Sequence, residues 1–451
     1  MSVAVDDARE IIAALRTGAV PARGLHHFAT GLDPLMAAVE AELAFVGQGS
    51  GRGAAKWIRG AYGTGKTFAT RLLCARARAQ RFATSEVQIS VNDTPLQHLE
   101  TVYRRMMERL TTDSEGVGAF KAVVDGWLFE VGEEVTRLRG LSEDDPAFSA
   151  AVVERLEDKL AALTAQNPAF AAVLRTYQRS LDAGDFATAQ GLLAWLAGQP
   201  HVDRSVTSKA GVKGAVDGQA ALTFLRGLLL LLRQSGHAGL VVVLDEVETV
   251  QRMAGPTREK ALNALRQLVD MLADNHLPGL YLVVTGTPDF FDGYKGVKSL
   301  PPLYQRVATR FEADARFDNP RAPQVRLPAF DRARLCEAGR RVRDLFPAQD
   351  VARVRGAVDD GFVAALVDQV TEGFGGHVEV CPRVFLRELV DVLDRVDQFA
   401  DFDPRAHYRL AIDDDALRPE ELAARLGRPP PDGEIEDAES PPAPARRRLD
   451  G

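Results

Sequence analysis

Cysteine is scarce: Cys74, Cys336 and Cys381 are the three in 451 residues, far apart and with no CxxC pair. That spacing excludes a disulfide framework and the usual zinc sites, and it suits a reducing cytoplasm. Long hydrophobic runs are missing too. The most apolar, residues 228–232, is bounded by Arg226 and Arg233, far short of the ~20 apolar residues that span a bilayer. The N-terminus, MSVAVDDARE, is acidic and lacks the basic-then-apolar order of a signal peptide. These absences predict a soluble cytoplasmic protein with no membrane partner. Lysine is rare as well, nine against 46 arginines, and positive charge is outnumbered by negative, 55 to 63, for a formal net charge of -8. This excludes a surface that coats nucleic acid by bulk attraction and leaves room for a local basic groove. Arginine's planar fork suits phosphate and carboxylate, although genome composition gives the same bias.

What is present is an ordinary globular composition, 46% hydrophobic and 26% charged, with length for two or three domains. Residues 6–16 and 32–46 have helical spacing. AAKWIRG reads as a short strand, followed by a glycine-rich turn and the helix KTFATRLLCARARAQRF. A second strand, 85–91, leads through Asn92-Asp93-Thr94-Pro95, a candidate helix cap, into a helix over 95–110. From 112 to 217 strand signals vanish and helical runs predict an insertion, with a loop over 203–217. The alternation then resumes: helix 218–235, strand 239–245, helix 256–275, strand 279–285, helix 301–312, strand 323–330. Continuous apolar runs such as VVVL mark strands buried on both faces of a parallel sheet. Alternating strands and helices predict a doubly wound α/β domain. The expected division is 1–111 for N-terminal helices and the first part of the core, 112–217 for the insertion and 218–330 for the second part. A helical lid follows over 331–425. The last stretch, 426–451, holds six prolines and almost nothing apolar, and is expected to be disordered.

The sharpest motif is Gly60-Ala61-Tyr62-Gly63-Thr64-Gly65-Lys66-Thr67, a match to GxxxxGK[ST] between a strand and a helix. Glycines let backbone N–H groups wrap phosphates, Lys66 reaches the β/γ oxygens, and the Thr67 hydroxyl sits on Mg²⁺. The helix that follows points its N-terminus at the anion. A chance glycine turn is the bland alternative. About 180 residues downstream, VVVL ends in Asp245 and Glu246. A buried strand delivers such acids to the sheet's C-terminal edge, Asp245 for Mg²⁺ and Glu246 to polarise the attacking water. Solvated acids at a strand end are the other reading. Val284-Thr285-Gly286-Thr287-Pro288 offers a polar group for the γ-phosphate or the water, and Thr287 is preferred because it lies past the strand end.

This set of motifs resembles the AAA+ ATPases, particularly the branch with origin-recognition and transposition-regulator ATPases. The resemblance implies a P-loop NTPase core with a helical lid. It also implies an arginine finger from Arg310, with Arg306 as the alternative, that reaches a neighbour's nucleotide in a homo-oligomer. Arg383 would contact the γ-phosphate of its own subunit. A closer resemblance runs through RGAYGTGKTFATRLL, VQISVNDTPLQHLETVYRR, VVVLDEVETV, YLVVTGTPDFFDG, LPPLYQRVATRF and VCPRVFLRELVDVLDRVDQFADFDP. These segments are similar to the BREX system ATP-binding protein family BrxD, which implies a phage-defence ATPase using ATP and Mg²⁺ beside a helicase-like partner.

Smaller signals have double readings. His26 and His27 suit an adenine contact or a helix-joining turn. Glu248 reads as a solvated face or as a group that tunes the switch. The Arg-rich runs 76–81 and 340–344 read as a DNA-facing patch or as exposed helix faces. Two rivals to a turning-over ATPase follow: a DNA-dependent loader or transposition-regulator-like ATPase, and a nucleotide-gated scaffold with little turnover.

Overall fold

The computed structural model describes residues 5–48, 52–142, 144–378 and 381–427. The tail expected to be disordered lies, from residue 428 on, outside the described residues. Five parallel strands form one sheet: β1 (Ala54–Arg59), β2 (Phe82–Gln88), β3 (Gly239–Asp245), β4 (Leu280–Gly286) and β5 (Gln324–Arg326), in the order β2-β3-β4-β1-β5. Crossover helices join them, including Lys66–Ala79 after β1 and Gly255–Ala273 after β3. The strand carrying the glycine-rich turn and the strand carrying the acids are thus separated by β4.

The two-residue period of the strands divides the core. Leu240, Val242 and Leu244 face one hydrophobic cluster, and Val241 and Val243 face the other. The first cluster takes in the helices between β2 and β3: Phe120–Arg139, Phe148–Gln166, Pro168–Asp182 and Phe186–Leu196 contribute Trp127, Leu160, Phe170 and Trp195. The second takes in the helices after β5, through Leu335, Phe385 and Leu389, and the N-terminal Ile11, Ile12 and Leu15. The first helix, Val5–Arg16, packs on Pro382–Gln398, and Arg16 donates two hydrogen bonds to Asp394 at 2.7 and 2.9 Å.

Several boundaries move from the expected ones. β2 begins at Phe82, immediately after Arg81 turns the chain with φ 65°, and ends at Gln88. The Asn92–Pro95 stretch does not cap the next helix. It forms a turn in which Ser90 Oγ accepts from the N–H groups of Asp93 (3.0 Å) and Thr94 (2.9 Å), and the helix starts later, at Leu99. The stretch expected as a loop over 203–217 holds a short helix, Arg204–Lys209, capped by Asp203. The helix from 301 ends at Val307. β5 has three residues, because Pro323 and Pro328 flank it and proline offers no N–H to a ladder. All three cysteines are free and buried. Among the described residues no helix is long and apolar enough to cross a membrane.

Candidate functional site

The glycine-rich turn is built as its residue types require. Gly63 and Gly65 take φ 80° and 84°, a region L side chains rarely enter. A Cβ on Gly60 would meet Thr64 Oγ1 at 2.4 Å. Thr64 closes the loop by donating to the carbonyl of Ala61 at 2.8 Å. Gly65 caps the helix Lys66–Ala79, so the unpaired N–H groups of its first turn point into the loop. Lys66 is buried. Its ammonium donates to the carbonyl of Gly60 at 3.1 Å and lies 5.0 Å from the centre of the Tyr62 ring.

The acids at the end of β3 meet this loop. Thr67 donates its hydroxyl proton to Asp245 Oδ2 at 2.9 Å. The other carboxylate oxygen, Oδ1, accepts from the hydroxyl of Thr285 and, at 3.1 Å, from the N–H of Glu246. That N–H is also 3.1 Å from Thr285 Oγ1. Thr67 and Asp245 therefore form a compact oxygen donor set, the hard-ligand chemistry that suits Mg²⁺. Glu246 has a left-handed backbone, φ 57° and ψ 38°, costly for a residue with a Cβ. Its Oε2 accepts from Gln88 Nε2 at 2.7 Å.

Glu248 is buried rather than solvated. Its carboxylate lies 3.3 Å from the Lys66 ammonium, and neither of its oxygens has a hydrogen-bond partner. Burial pushes its pKa up, against the pull of Lys66.

A cavity opens above the loop. The N-terminal segment supplies Val20, Pro21, Phe28 and Leu32, and the helices after β5 supply Leu335 and Leu386. This apolar wall suits a flat base, and the Thr30 hydroxyl lining it is buried without a hydrogen-bond partner. His26 and His27 do not line it; their rings meet tilted at 39°, with centroids 3.9 Å apart. Loop, donor set and apolar wall together fit a nucleotide with its magnesium.

The remaining candidates separate clearly. Thr287 caps the short helix Pro288–Asp292, accepting from Phe290 N–H at 3.4 Å; Thr285 is the threonine joined to Asp245. Arg306 is paired within the chain to Asp270 at 2.5 Å. Arg310 is exposed, with no ion pair among the described residues. Arg383 lines the cavity and donates from Nε to Glu421 Oε1 at 2.7 Å; its NH2 also reaches Glu421 and the carbonyl of Ala416 (3.1 Å). The Arg-rich runs are largely spent internally. Arg78 binds Thr84 (2.8 Å), Arg81 the carbonyl of Gly236, Arg341 that of Ala29, and Arg343 binds Asp360 (2.7 Å).

Gln88, Thr285 and Glu421 carried no motif that singled them out. Thr285 did stand in the threonine pair at the end of β4, and the parallel register predicts that its strand end lies beside Asp245.

A parallel sheet with a glycine-rich loop after β1 and acids at the end of β3 defines a P-loop NTPase fold. A family model described as BREX system ATP-binding protein BrxC/D matches residues 3–412, and the chain belongs to that family. Among solved structures, the ORC2 protein of Aeropyrum pernix in its ADPNP-ADP complexes is similar over 81% of this chain and 68% of that one, at 12% identity and a TM-score of 0.37. No curated protein matches significantly.

Proposed function

We propose that this ATP-binding protein is a phage-defence ATPase of the AAA+ type that hydrolyses ATP at the Gly60–Thr67 loop. The observation that carries the reading is the Thr67–Asp245–Thr285 network, closed directly onto the N–H of Glu246. Backbone N–H groups of 60–65 and the Lys66 ammonium bind the phosphates. Thr67 and Asp245 would hold Mg²⁺, which when bound supplies charge neutralisation at the β- and γ-phosphates. Glu246 orients the attacking water and accepts its proton once it leaves Gln88. Thr285 fixes the Asp245 carboxylate, and Thr287 serves only as the cap of the short helix after β4. Arg383 contributes charge to the γ-phosphate after parting from Glu421, and Arg310 does so at a neighbour's site in a homo-oligomer. Stabilisation of charge, rather than covalent chemistry, supplies the rate. Other BREX proteins, a helicase-like one among them, and DNA are the partners that would receive the lid's motion, in the cytoplasm.

Phosphate release by purified protein tests this. Glu246→Gln is expected to retain ATP binding and to lose turnover by about 10²–10⁴-fold. Equal turnover of wild type and variant would sink the assignment. The held positions of Glu246 on Gln88 and of Arg383 on Glu421 favour a second reading, a nucleotide-gated switch whose turnover waits for a partner. Adding DNA or BREX partners to the same assay separates the two, because a gated switch accelerates only when its partner is present.

A further inference from the structure

Lys66 carries a charge the fold has removed from water. Its side chain is 8% exposed, and a buried ammonium without an anion is costly. The anion present is Glu248, 4% exposed, at 3.3 Å. This carboxylate is weakly anchored. Neither oxygen has a well-formed hydrogen bond, so Lys66, helped by the residue's own N–H, is what rewards its burial. It also lines the nucleotide cavity, on the same side as the ammonium that would meet the phosphates. Two anions cannot share that space cheaply, because a carboxylate and a polyphosphate repel strongly where water is excluded.

We infer that Glu248 is a stand-in for phosphate: it holds Lys66 while the site is empty and yields it to the β/γ-phosphates on binding. The inference rests on the reading of the cavity as an ATP site. Its consequence reaches the water-activating group through the chain itself. Glu248 lies in the 3₁₀ turn Val247–Arg252, which starts directly after Glu246. Glu246 in turn is held by Gln88 and sits in a left-handed conformation. Displacing Glu248 works on the turn that aims Glu246, so Glu248 is a positioning residue that couples occupancy of the loop to the placement of Glu246. A merely structural ion pair would instead support the loop in every state.

The two roles predict opposite signs. Calorimetric titration of the full chain with ATP, ADP, AMP and inorganic tripolyphosphate is the test, for wild type, Glu248→Gln and Glu248→Asp. Removing the competing charge in Glu248→Gln is expected to tighten ATP, ADP and tripolyphosphate by about tenfold, with AMP unchanged because it lacks the β-phosphate. Glu248→Asp retracts the carboxylate and should tighten the same three ligands by a smaller factor, which keeps the test decisive if the Gln variant folds poorly. Melting curves add an independent reading: the empty Gln variant should melt below wild type, and the ATP-saturated forms should melt together. Unchanged or weaker binding of ATP and tripolyphosphate by both variants would overturn the inference while leaving the ATP site intact. A wild type that binds none of the four would overturn the site and the inference together.

Discussion

The two helical blocks of this molecule sit on opposite faces of one sheet and relate to the cavity above the Gly60–Thr67 loop in opposite ways. The block between β2 and β3 sinks Trp127, Leu160, Phe170 and Trp195 into the cluster shared with Leu240, Val242 and Leu244. No described residue of 112–217 lines the cavity. The block after β5 shares its cluster with Val241 and Val243, and Leu335, Arg383 and Leu386 face the cavity directly. Both are helical, both bury comparable kinds of residue, and only one lines the proposed nucleotide cavity. Apolar packing therefore does not distinguish the two blocks. Access to the cavity at the C-terminal edge of the sheet does.

Substitutions at three places sharpen or break that contrast. Trp127 is fully buried in the first block, and its indole N–H donates to Gln234 at 3.0 Å. Trp127→Ala should cost about 3–5 kcal/mol in urea unfolding, with the ATP dissociation constant unchanged. A parallel loss of ATP affinity would mean that the two faces are not independent. Arg310 follows the helix Pro301–Val307, whose Leu303 and Val307 belong to the first cluster. Arg310→Ala should lower turnover about a thousandfold, and mixing it with Lys66→Ala should restore part of it. Lack of rescue, together with a monomer in sedimentation, would confine the catalytic group to one face of one chain. The smallest effect is expected from the threonine pair. Thr287→Val should cost about 1 kcal/mol as a lost cap and leave turnover intact, whereas Thr285→Val should cut turnover by loosening Asp245. The reverse pattern would restore Thr287 as the group nearer the chemistry.

The parts of the site written in contiguous residues were legible without a structure. Gly60–Thr67 and Asp245–Glu246 have types and spacing that few other tasks demand, and the apolar runs of β3 and β4 announced a buried parallel sheet. What stayed hidden depends on juxtaposition. Gln88 meets Glu246 only because β2 and β3 are parallel, with Gln88 beside Asp245 in register. Glu248 looked like one more acid after a strand, and a 3₁₀ turn carried it inward. Arg383 and Glu421 are 38 positions apart and meet through the packing of the last described helix, Pro419–Arg425. Thr287 was preferred over Thr285 by counting past the strand end, whereas β4 runs through Gly286 and the next residue spends its hydroxyl on a cap.

The docking of Val5–Arg16 on Pro382–Gln398 bears on how the protein can be cut. By sequence these residues precede the core; by packing they join the helices after β5, and the chain then doubles back through 17–32 to wall the cavity. A truncation starting at Asp33 would not yield a minimal ATPase. It would strip the helix packed on Pro382–Gln398, open one side of the cavity and leave Asp394 without its arginine. The unit that keeps the cavity whole is consequently discontinuous, with 15–32 and 328–421 closing around the loop 61–68, Glu246 and Glu248.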